Sequence, residues 1–134
     1  MKQNTTGTAI TLRTREQQMA ESAYQCIEKR ADGKRSDEYL SFANSFPSLI
    51  HSCGLVQAIA FAKAKGKNDT LEDLAKVLDI PLEELTVNAR TKSLSSYMLL
   101  SRETLMAAGW LKRYAQALYK NSTEEEKSDD TMLP

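Results

Sequence analysis

The chain has 134 residues, the length of a single domain, and its 41% hydrophobic and 27% charged residues are typical of a folded globular protein. Its 18 basic and 18 acidic residues give a formal net charge of zero, which by itself argues against a polyanionic partner. No apolar run is long enough to cross a membrane and residues 1–11 carry no secretory signal, so we predict a cytoplasmic protein without membrane contact.

Charge is distributed unevenly along the chain. Residues 121–134 contain five acids and one base, which leaves 17 bases against 13 acids in residues 1–120. A run of like charge at the end of a chain is usually solvated and disordered. We therefore predict three parts: a disordered N-terminal arm over 1–11, a mildly basic helical domain over 12–120, and a disordered acidic tail over 121–134.

The first helix is predicted to begin at Thr14. Thr14 and Gln17 have the spacing of a capping box, in which each side chain satisfies a backbone N–H of the other residue. Apolar residues then recur at three- and four-residue spacing as far as Ile27. This periodicity gives the helix one apolar face.

The next two helices are predicted on either side of residues 44–46. A short helix is expected over residues 36–43, and Pro47 fits the first turn of a longer helix over 47–65, where its missing N–H is not needed. This longer segment is apolar nearly all round, with Gly54 in its middle. We therefore predict that it is the central helix of the fold.

Three more helices are expected before the acidic tail. Two short ones cover residues 71–78 and 82–88, and the last runs over about 95–120. At 100° per residue the last helix has an apolar seam with a basic stripe behind it. Strand signals are nearly absent. The sequence therefore predicts an all-α fold, a single-domain bundle of five or six helices.

The sequence offers few groups of residues that could form a catalytic or metal-binding site. His51 and the two cysteines, Cys26 and Cys53, are too few and too far apart for a zinc site, and we expect both cysteines to be buried free thiols. The acidic pairs at 72–73 and 83–84 are expected to be solvated helix surface. We therefore predict no catalytic residue, no metal site and no cofactor.

Residues 71–88 resemble a helix-turn-helix DNA reader, so a DNA-binding transcription factor is our alternative function. Two features weigh against it. Asp79 stands where the turn usually has glycine, and Glu83 and Glu84 would face phosphates unfavourably. A helical hairpin packed on the bundle is the simpler interpretation.

Basic residues are the stronger functional signal, because phosphate contact needs positive charge but little base-specific geometry. One group surrounds the first loop, at 29–30 and 34–35. The residues that we predict to bind nucleic acid are Arg13, Arg15, Lys63, Lys65, Arg102, Lys112 and Arg113. A weaker possibility is a protein adaptor that docks a partner through exposed Met98, Met106 or Trp110.

Three blocks of the sequence resemble a known family. The central block has a proline, a Gly-Leu pair, a glutamine, a phenylalanine and a basic end, here Pro47, Gly54-Leu55, Gln57, Phe61 and Lys63. The first helix, with Arg13, Gln17 and Ala20, and the last, with 102–103 and 110–115, are also similar. Together these blocks resemble the small helical subunit of the Cmr complex, the type III-B CRISPR RNA-guided effector.

The resemblance implies a structural role in antiviral defence without catalysis. Copies of the chain would stack along the guide RNA and its target RNA, contact this duplex through basic surface, and associate with one another and with other Cmr subunits. RNA cleavage would belong to those other subunits. Because base pairing reads the sequence, such a protein needs only complementary shape and charge.

Overall fold

A computed structural model describes residues 12–31 and 36–119. Within these ranges the chain is all-α, as predicted, and forms one helical domain. Its six helices are α1 (Arg15–Lys29), α2 (Ser36–Cys53), α3 (Leu55–Ala64), α4 (Asn68–Leu78), α5 (Leu82–Thr91) and α6 (Leu94–Tyr119). The predicted arm over 1–11 and tail over 121–134 lie outside the described residues. None of the six helices is long and apolar enough to span a membrane.

The predicted start of α1 is confirmed. The side-chain oxygen of Thr14 accepts from the backbone N–H of Gln17 at 3.0 Å, and the side chain of Gln17 accepts from the backbone N–H of Thr14 at 2.9 Å. Two N–H groups that have no acceptor inside the helix are thereby satisfied. The apolar face that follows is buried at Met19, Ala23 and Ile27.

Helix α2 runs through Pro47, so the prediction of a short helix over 36–43 and a new helix at Pro47 was wrong. A proline inside a helix removes one backbone hydrogen bond. Phe42, Phe46 and Ile50 are buried at four-residue spacing on one side of α2, and the rings of Phe42 and Phe46 are 5.0 Å apart. Burial of this continuous apolar face offsets the lost bond.

The break between α2 and α3 lies at Gly54. Its φ of 91° is in the left-handed region, which glycine adopts because it has no Cβ. The hydroxyl oxygen of Tyr97, in α6, accepts from the backbone N–H of Leu55 at 3.1 Å and of Val56 at 3.5 Å. These N–H groups have no acceptor within α3. Tyr97 therefore closes the α2–α3 junction from a distant helix.

Helix α4 lies at the centre of the fold, because it packs against each of the other five helices. Seven of its eleven residues are buried. The prediction that residues 47–65 form the central helix was therefore wrong. Four of the ten residues of α3 are alanines, which are good helix formers at exposed and buried positions alike, so the apolar composition of α3 overstated its burial.

The predicted seam of α6 is confirmed by its packing on α1, α2, α4 and α5. Its buried residues are mostly small, which lets neighbouring helices approach closely: Thr104, Ala107, Ala108, Leu111, Ala115 and Tyr119. The core between the helices is filled by large side chains that are almost fully buried, among them Met19, Ile27, Phe46, Leu55, Leu71, Leu74, Leu85 and Leu111.

Candidate nucleic-acid interface

The outer face of α6, which we define by Arg102, Gly109 and Arg113, carries exposed positive charge. Arg102 and Arg113 are both exposed and lie eleven positions apart, which is about three helical turns and roughly 16 Å along the axis. Gly109 lies between them on the same side, and a Cβ built there would meet nothing within 4 Å. Lys112 is half-buried and lies about 100° around the helix from Arg113.

The two lysines predicted at the end of α3 lie on different sides of that helix, because two residues advance about 200° around a helix. Lys65 lies against the α2 side, with its Nζ 5.7 Å from the ring centroid of Phe61. Lys63 lies on the α5 side, beside Ala89 and Arg90. The structure therefore does not bring the two predicted residues together.

The two arginines predicted at the N-terminus differ in their contacts. Arg13 is exposed and precedes α1. Arg15 is also exposed, but its Nη2 donates to the backbone oxygen of Leu78 at 3.4 Å, so part of its hydrogen-bonding capacity is used to hold α1 against the end of α4. The seven predicted residues thus form separate groups on α6, on two sides of α3 and at the start of α1.

Sequence reasoning missed a buried charge in α4. Asp73 is only 4% exposed, so the expectation of solvated surface was wrong for this residue. Arg30 donates to both carboxylate oxygens, from Nε at 2.7 Å and from Nη2 at 3.0 Å, and the hydroxyl of Tyr39 donates at 2.6 Å. Burial, and then the Asp73 charge, raise the pKa of Tyr39 far above its ordinary value. Asp73 thus links α1, α2 and α4.

Further acids of α4 surround the same guanidinium. Nη1 of Arg30 lies 3.5 Å from a carboxylate oxygen of Asp69, and Nη2 lies 3.8 Å from one of Glu72. The hydrogen bond to Asp73 is the largest of the influences that raise the pKa of Arg30. Arg30, which the sequence placed with the basic residues around the first loop, is therefore occupied inside the fold and is a poor candidate for phosphate contact.

The cysteines and the histidine form no common site. Cys26 is buried, as expected, and burial, followed by the Asp73 charge, raises the pKa of its thiol to about 11. Cys53 is exposed, so the expectation of burial was wrong for this residue, which ends α2 beside Gly54. His51 is exposed as well. Within residues 12–31 and 36–119 no group of three or more potential ligands could hold a metal ion.

A family model described as CRISPR-associated protein (Cas_Cmr5) matches residues 15–118, which span all but the last residue of the helical domain from α1 to α6. The chain belongs to this family. It is 42% identical over 111 residues to the CRISPR system Cmr subunit Cmr5 of Thermus thermophilus, and this match covers 80% of the chain and 97% of its relative. The resemblance found in the sequence is confirmed.

Two further comparisons support the assignment of this chain to the Cmr5 family. The Cmr5 subunit of Thermotoga maritima is 29% identical over 119 residues, across 85% of this chain and 92% of its own length. The crystal structure of a Cmr5 family protein from Thermus thermophilus superposes with a TM-score of 0.76 and 40% identity, across 80% of this chain and 98% of that chain.

The family match includes α4 and α5, where the sequence alone suggested the helix-turn-helix alternative. The two helices are joined by a short turn at Asp79, whose φ of 63° is the left-handed conformation that glycine usually supplies. Glu83 and Glu84 are exposed on the first turn of α5, where they would face phosphates. The comparisons give the transcription-factor alternative no support, and α4 packs within the bundle core.

An apolar surface lies at the N-terminal end of α6 in this Cmr5 family member. Leu94 is 73% exposed, and Met98 and Leu99 are each 54% exposed. Met106, farther along α6, is exposed as well. Trp110 is only half-exposed, packs against the core and stacks on Tyr114 at 5.7 Å, so it is a weaker docking candidate than the sequence suggested.

Proposed function

We propose that this chain is a non-catalytic subunit of a type III-B CRISPR ribonucleoprotein and contacts the guide RNA–target RNA duplex through the outer face of α6. The observation that carries the proposal, together with family membership, is the pair of exposed arginines, Arg102 and Arg113, on one side of a continuous helix. Both guanidinium groups can donate two parallel hydrogen bonds to a phosphate.

The open position at Gly109 supports this role. Any larger side chain there would stand between the two arginines and hold a phosphate backbone away from α6. With hydrogen as its side chain, Gly109 lets the duplex approach the helix closely, while Lys112 adds charge at one side. Such contacts fix position and carry no sequence information, which suits a complex whose guide RNA reads the target by base pairing.

The remaining predicted residues have secondary roles in the proposal. Arg13 and Lys63 are exposed and can approach phosphates outside the α6 face, whereas Arg15 is partly engaged with α4. We propose that residues 12–120 form the working domain and that the arm over 1–11 and the acidic tail over 121–134 lie outside the RNA contact.

The absence of catalysis in the proposal is supported by the use of the buried polar groups. Among the described residues Asp73 is the buried carboxylate. It is bound by Arg30 and Tyr39 and holds α1, α2 and α4 together. His51 is exposed, and among the residues that the structure describes no hydrogen bond joins it to a hydroxyl or thiol that it could activate as a nucleophile. We propose that RNA cleavage takes place on other subunits of the complex.

Contacts with other Cmr subunits and with copies of this chain are also part of the proposal. The apolar surface at Leu94, Met98 and Leu99 supports them, because exposed apolar clusters on folded domains commonly mark protein contacts. Stacked copies would repeat the weak contact of one α6 face along the duplex. Such repetition raises the overall affinity well above that of a single contact.

The experiment replaces Arg102, Lys112 and Arg113 with alanine in the chain reconstituted with its guide RNA and the other Cmr subunits. We expect weaker retention of target RNA, and a slope of log affinity against log salt that falls by roughly one for each lost phosphate contact. A filter-binding titration at several salt concentrations measures both.

The matched control replaces Lys76, Arg90 and Lys92 with alanine, which removes the same charge from other helices and the turn after α5. We expect this control to bind with nearly the salt slope of the unaltered complex. If the α6 triple variant and the unaltered chain give the same affinity and the same salt slope, α6 does not contact the RNA.

A further inference from the structure

A second surface, apart from the α6 face, combines an exposed aromatic ring with charged and polar side chains. It is a groove of about 490 Å³ between the first half of α2 and the end of α3. Phe42 and Phe61 form its apolar wall, with ring centroids 6.5 Å apart and planes inclined by 14°. Phe42 is nearly buried, but the ring of Phe61 is 44% exposed. Phe42 thus supports a flat aromatic surface that is open to solvent.

Two lysines flank this wall. Nζ of Lys65 lies 5.7 Å from the ring centroid of Phe61, and Nζ of Lys67 lies 5.8 Å from that of Phe42. At these distances each ammonium is attracted by the ring beside it, so the two charges are held in the lining of the groove. The structure therefore places one cation beside the exposed Phe61 ring and a second beside the Phe42 ring that supports it.

The remaining lining of the groove is polar. It consists of Asp37, Glu38, Ser41 and Ser45, all on α2. The carboxylates and hydroxyls can accept hydrogen bonds from the amino groups of adenine, cytosine or guanine, whereas the charges of Asp37 and Glu38 repel phosphate from this part of the groove. A ligand with a flat ring, an amino-bearing edge and one phosphate beside the lysines would match the aromatic, polar and basic parts of the lining.

We propose that this groove, the Phe61 groove, binds one unpaired nucleotide of an RNA strand. The base stacks on Phe61, the phosphate lies beside Lys65 and Lys67, and the edge of the base faces Asp37. The proposal rests on the proposed function in taking RNA as the partner, but it uses a different surface and an unpaired nucleotide instead of the duplex.

The combination of groups favours a nucleotide over an apolar side chain of a protein partner. Sites for single-stranded nucleic acid pair stacking aromatics with basic residues that follow the backbone. An anchor residue of a protein would favour a desolvated apolar pocket, and two flanking ammonium groups would lose hydration on its arrival without gaining a partner.

The test measures binding of oligoadenylate to the full chain by fluorescence anisotropy over a range of salt concentrations. Replacing Phe61 with Ala should weaken binding roughly 5- to 150-fold and leave the salt slope unchanged, because stacking releases no counterions. Phe61→Leu should weaken it too, since leucine keeps apolar volume without a flat ring, and Phe61→Trp should retain it. Replacing both Lys65 and Lys67 with Ala should lower the slope by about 0.7 for each lost phosphate contact.

Four results would overturn the proposal. The first two are binding of oligoadenylate by Phe61→Leu, or by Phe61→Ala, as tight as binding by the unaltered chain. The third is equal binding of oligoadenylate and oligouridylate. The fourth is no measurable binding of oligoadenylate by the unaltered chain at about 50 mM salt. Thermal unfolding of each variant confirms that it is folded, and Phe61→Leu and Phe61→Trp keep the test open if Phe61→Ala does not fold.

A blunt RNA duplex separates this proposal from the proposed function. The Phe61 variants should bind the duplex as the unaltered chain does, whereas the Arg102, Lys112 and Arg113 triple variant should bind it more weakly. If the Phe61 variants lose only oligoadenylate binding and the α6 triple variant binds the duplex as the unaltered chain does, the groove proposal stands and the α6 duplex contact is rejected. If the Phe61 variants bind oligoadenylate normally and the α6 triple variant binds the duplex more weakly, the groove proposal alone is rejected.

Discussion

Helices α4 and α6 use charge in opposite ways. In α4, Asp73 is buried and bound on two sides by Arg30 and Tyr39. On the outer face of α6, Arg102 and Arg113 are exposed, and the ion pairs found within residues 12–31 and 36–119 all involve Arg30. A buried charge destabilises the fold unless it is paired, whereas an exposed one remains available to a ligand.

The comparison separates residues that hold this domain together from residues that can bind RNA. Loss of an α4 charge should therefore appear as a loss of stability, and loss of an α6 charge as a loss of binding at nearly unchanged stability. Surface substitutions away from special features usually change the free energy of unfolding by less than about 0.5 kcal/mol. Four measurements on the isolated chain test this division, from the largest expected effect to the smallest.

Replacing Asp73 with Ala should have the largest effect, because it leaves Arg30 and Tyr39 without their shared acceptor in a buried site. We expect a loss of about 3 kcal/mol in the free energy of unfolding, measured by urea titration. Asp73→Asn keeps the shape and an acceptor oxygen, so it should lose less. Equal stability of Asp73→Ala and the α6 triple variant would break the comparison.

Alkaline pH should also act on the α4 side of the molecule. The pKa of Cys26 is raised from 9.0 to about 11 and that of Tyr39 is raised as well, so the folded state holds protons that the unfolded state releases. Stability is then fully present below pH 9 and falls as pH rises toward 11, by roughly 2 kcal/mol from Cys26. Thermal unfolding midpoints across this pH range measure the fall. In Cys26→Ala the fall should be smaller, and an undiminished fall would contradict the assignment.

Replacing Tyr97 with Phe tests a contact that α6 makes on its inner side. The variant loses the hydroxyl that accepts from the N–H of Leu55 and Val56, so we expect about 1 kcal/mol less stability. Tyr24→Phe, at an exposed tyrosine of α1, is the matched control and should unfold like the unaltered chain. No difference between the two variants would show that the hydroxyl contributes nothing to the α2–α3 junction.

Replacing Gly109 with Ala should have the smallest effect and the opposite sign. A Cβ there meets nothing within 4 Å, so alanine should stabilise α6 by about 0.5–1 kcal/mol. The same variant should bind the RNA duplex more weakly if close approach matters at this position. Unchanged or tighter duplex binding would leave Gly109 without a role in the interface.

The features predicted correctly from the sequence are those fixed by neighbouring residues. The capping box of Thr14 and Gln17 and the seam of α6 depend on spacings of three and four residues, which a helix places together wherever it lies. The number and type of the helices follow from the same local periodicity. The family resemblance could be found in the sequence for a similar reason, because the residues that carry it lie in short continuous blocks.

The features that were missed depend on distant parts of the chain. Arg30 and Asp73 are 43 positions apart, and no local pattern distinguishes Asp73 from the exposed Glu72 beside it. The helix through Pro47 survives because residues on other helices bury its apolar face. Lys63 and Lys65 are neighbours in sequence, yet the packing of α3 between α2 and α5 assigns them to different surfaces.

The bond between Tyr97 and Leu55 also bears on the order in which the fold is completed during synthesis. It joins residues 42 positions apart, and its acceptor lies in α6, the last of the six described helices. Until α6 is present, the α2–α3 junction at Gly54 lacks the group that closes it, and the Phe61 groove is built from those two helices. The junction can therefore gain its last partner only after residue 97 has been synthesised, so the connection between α2 and α3 is completed late, by a helix that follows it along the chain.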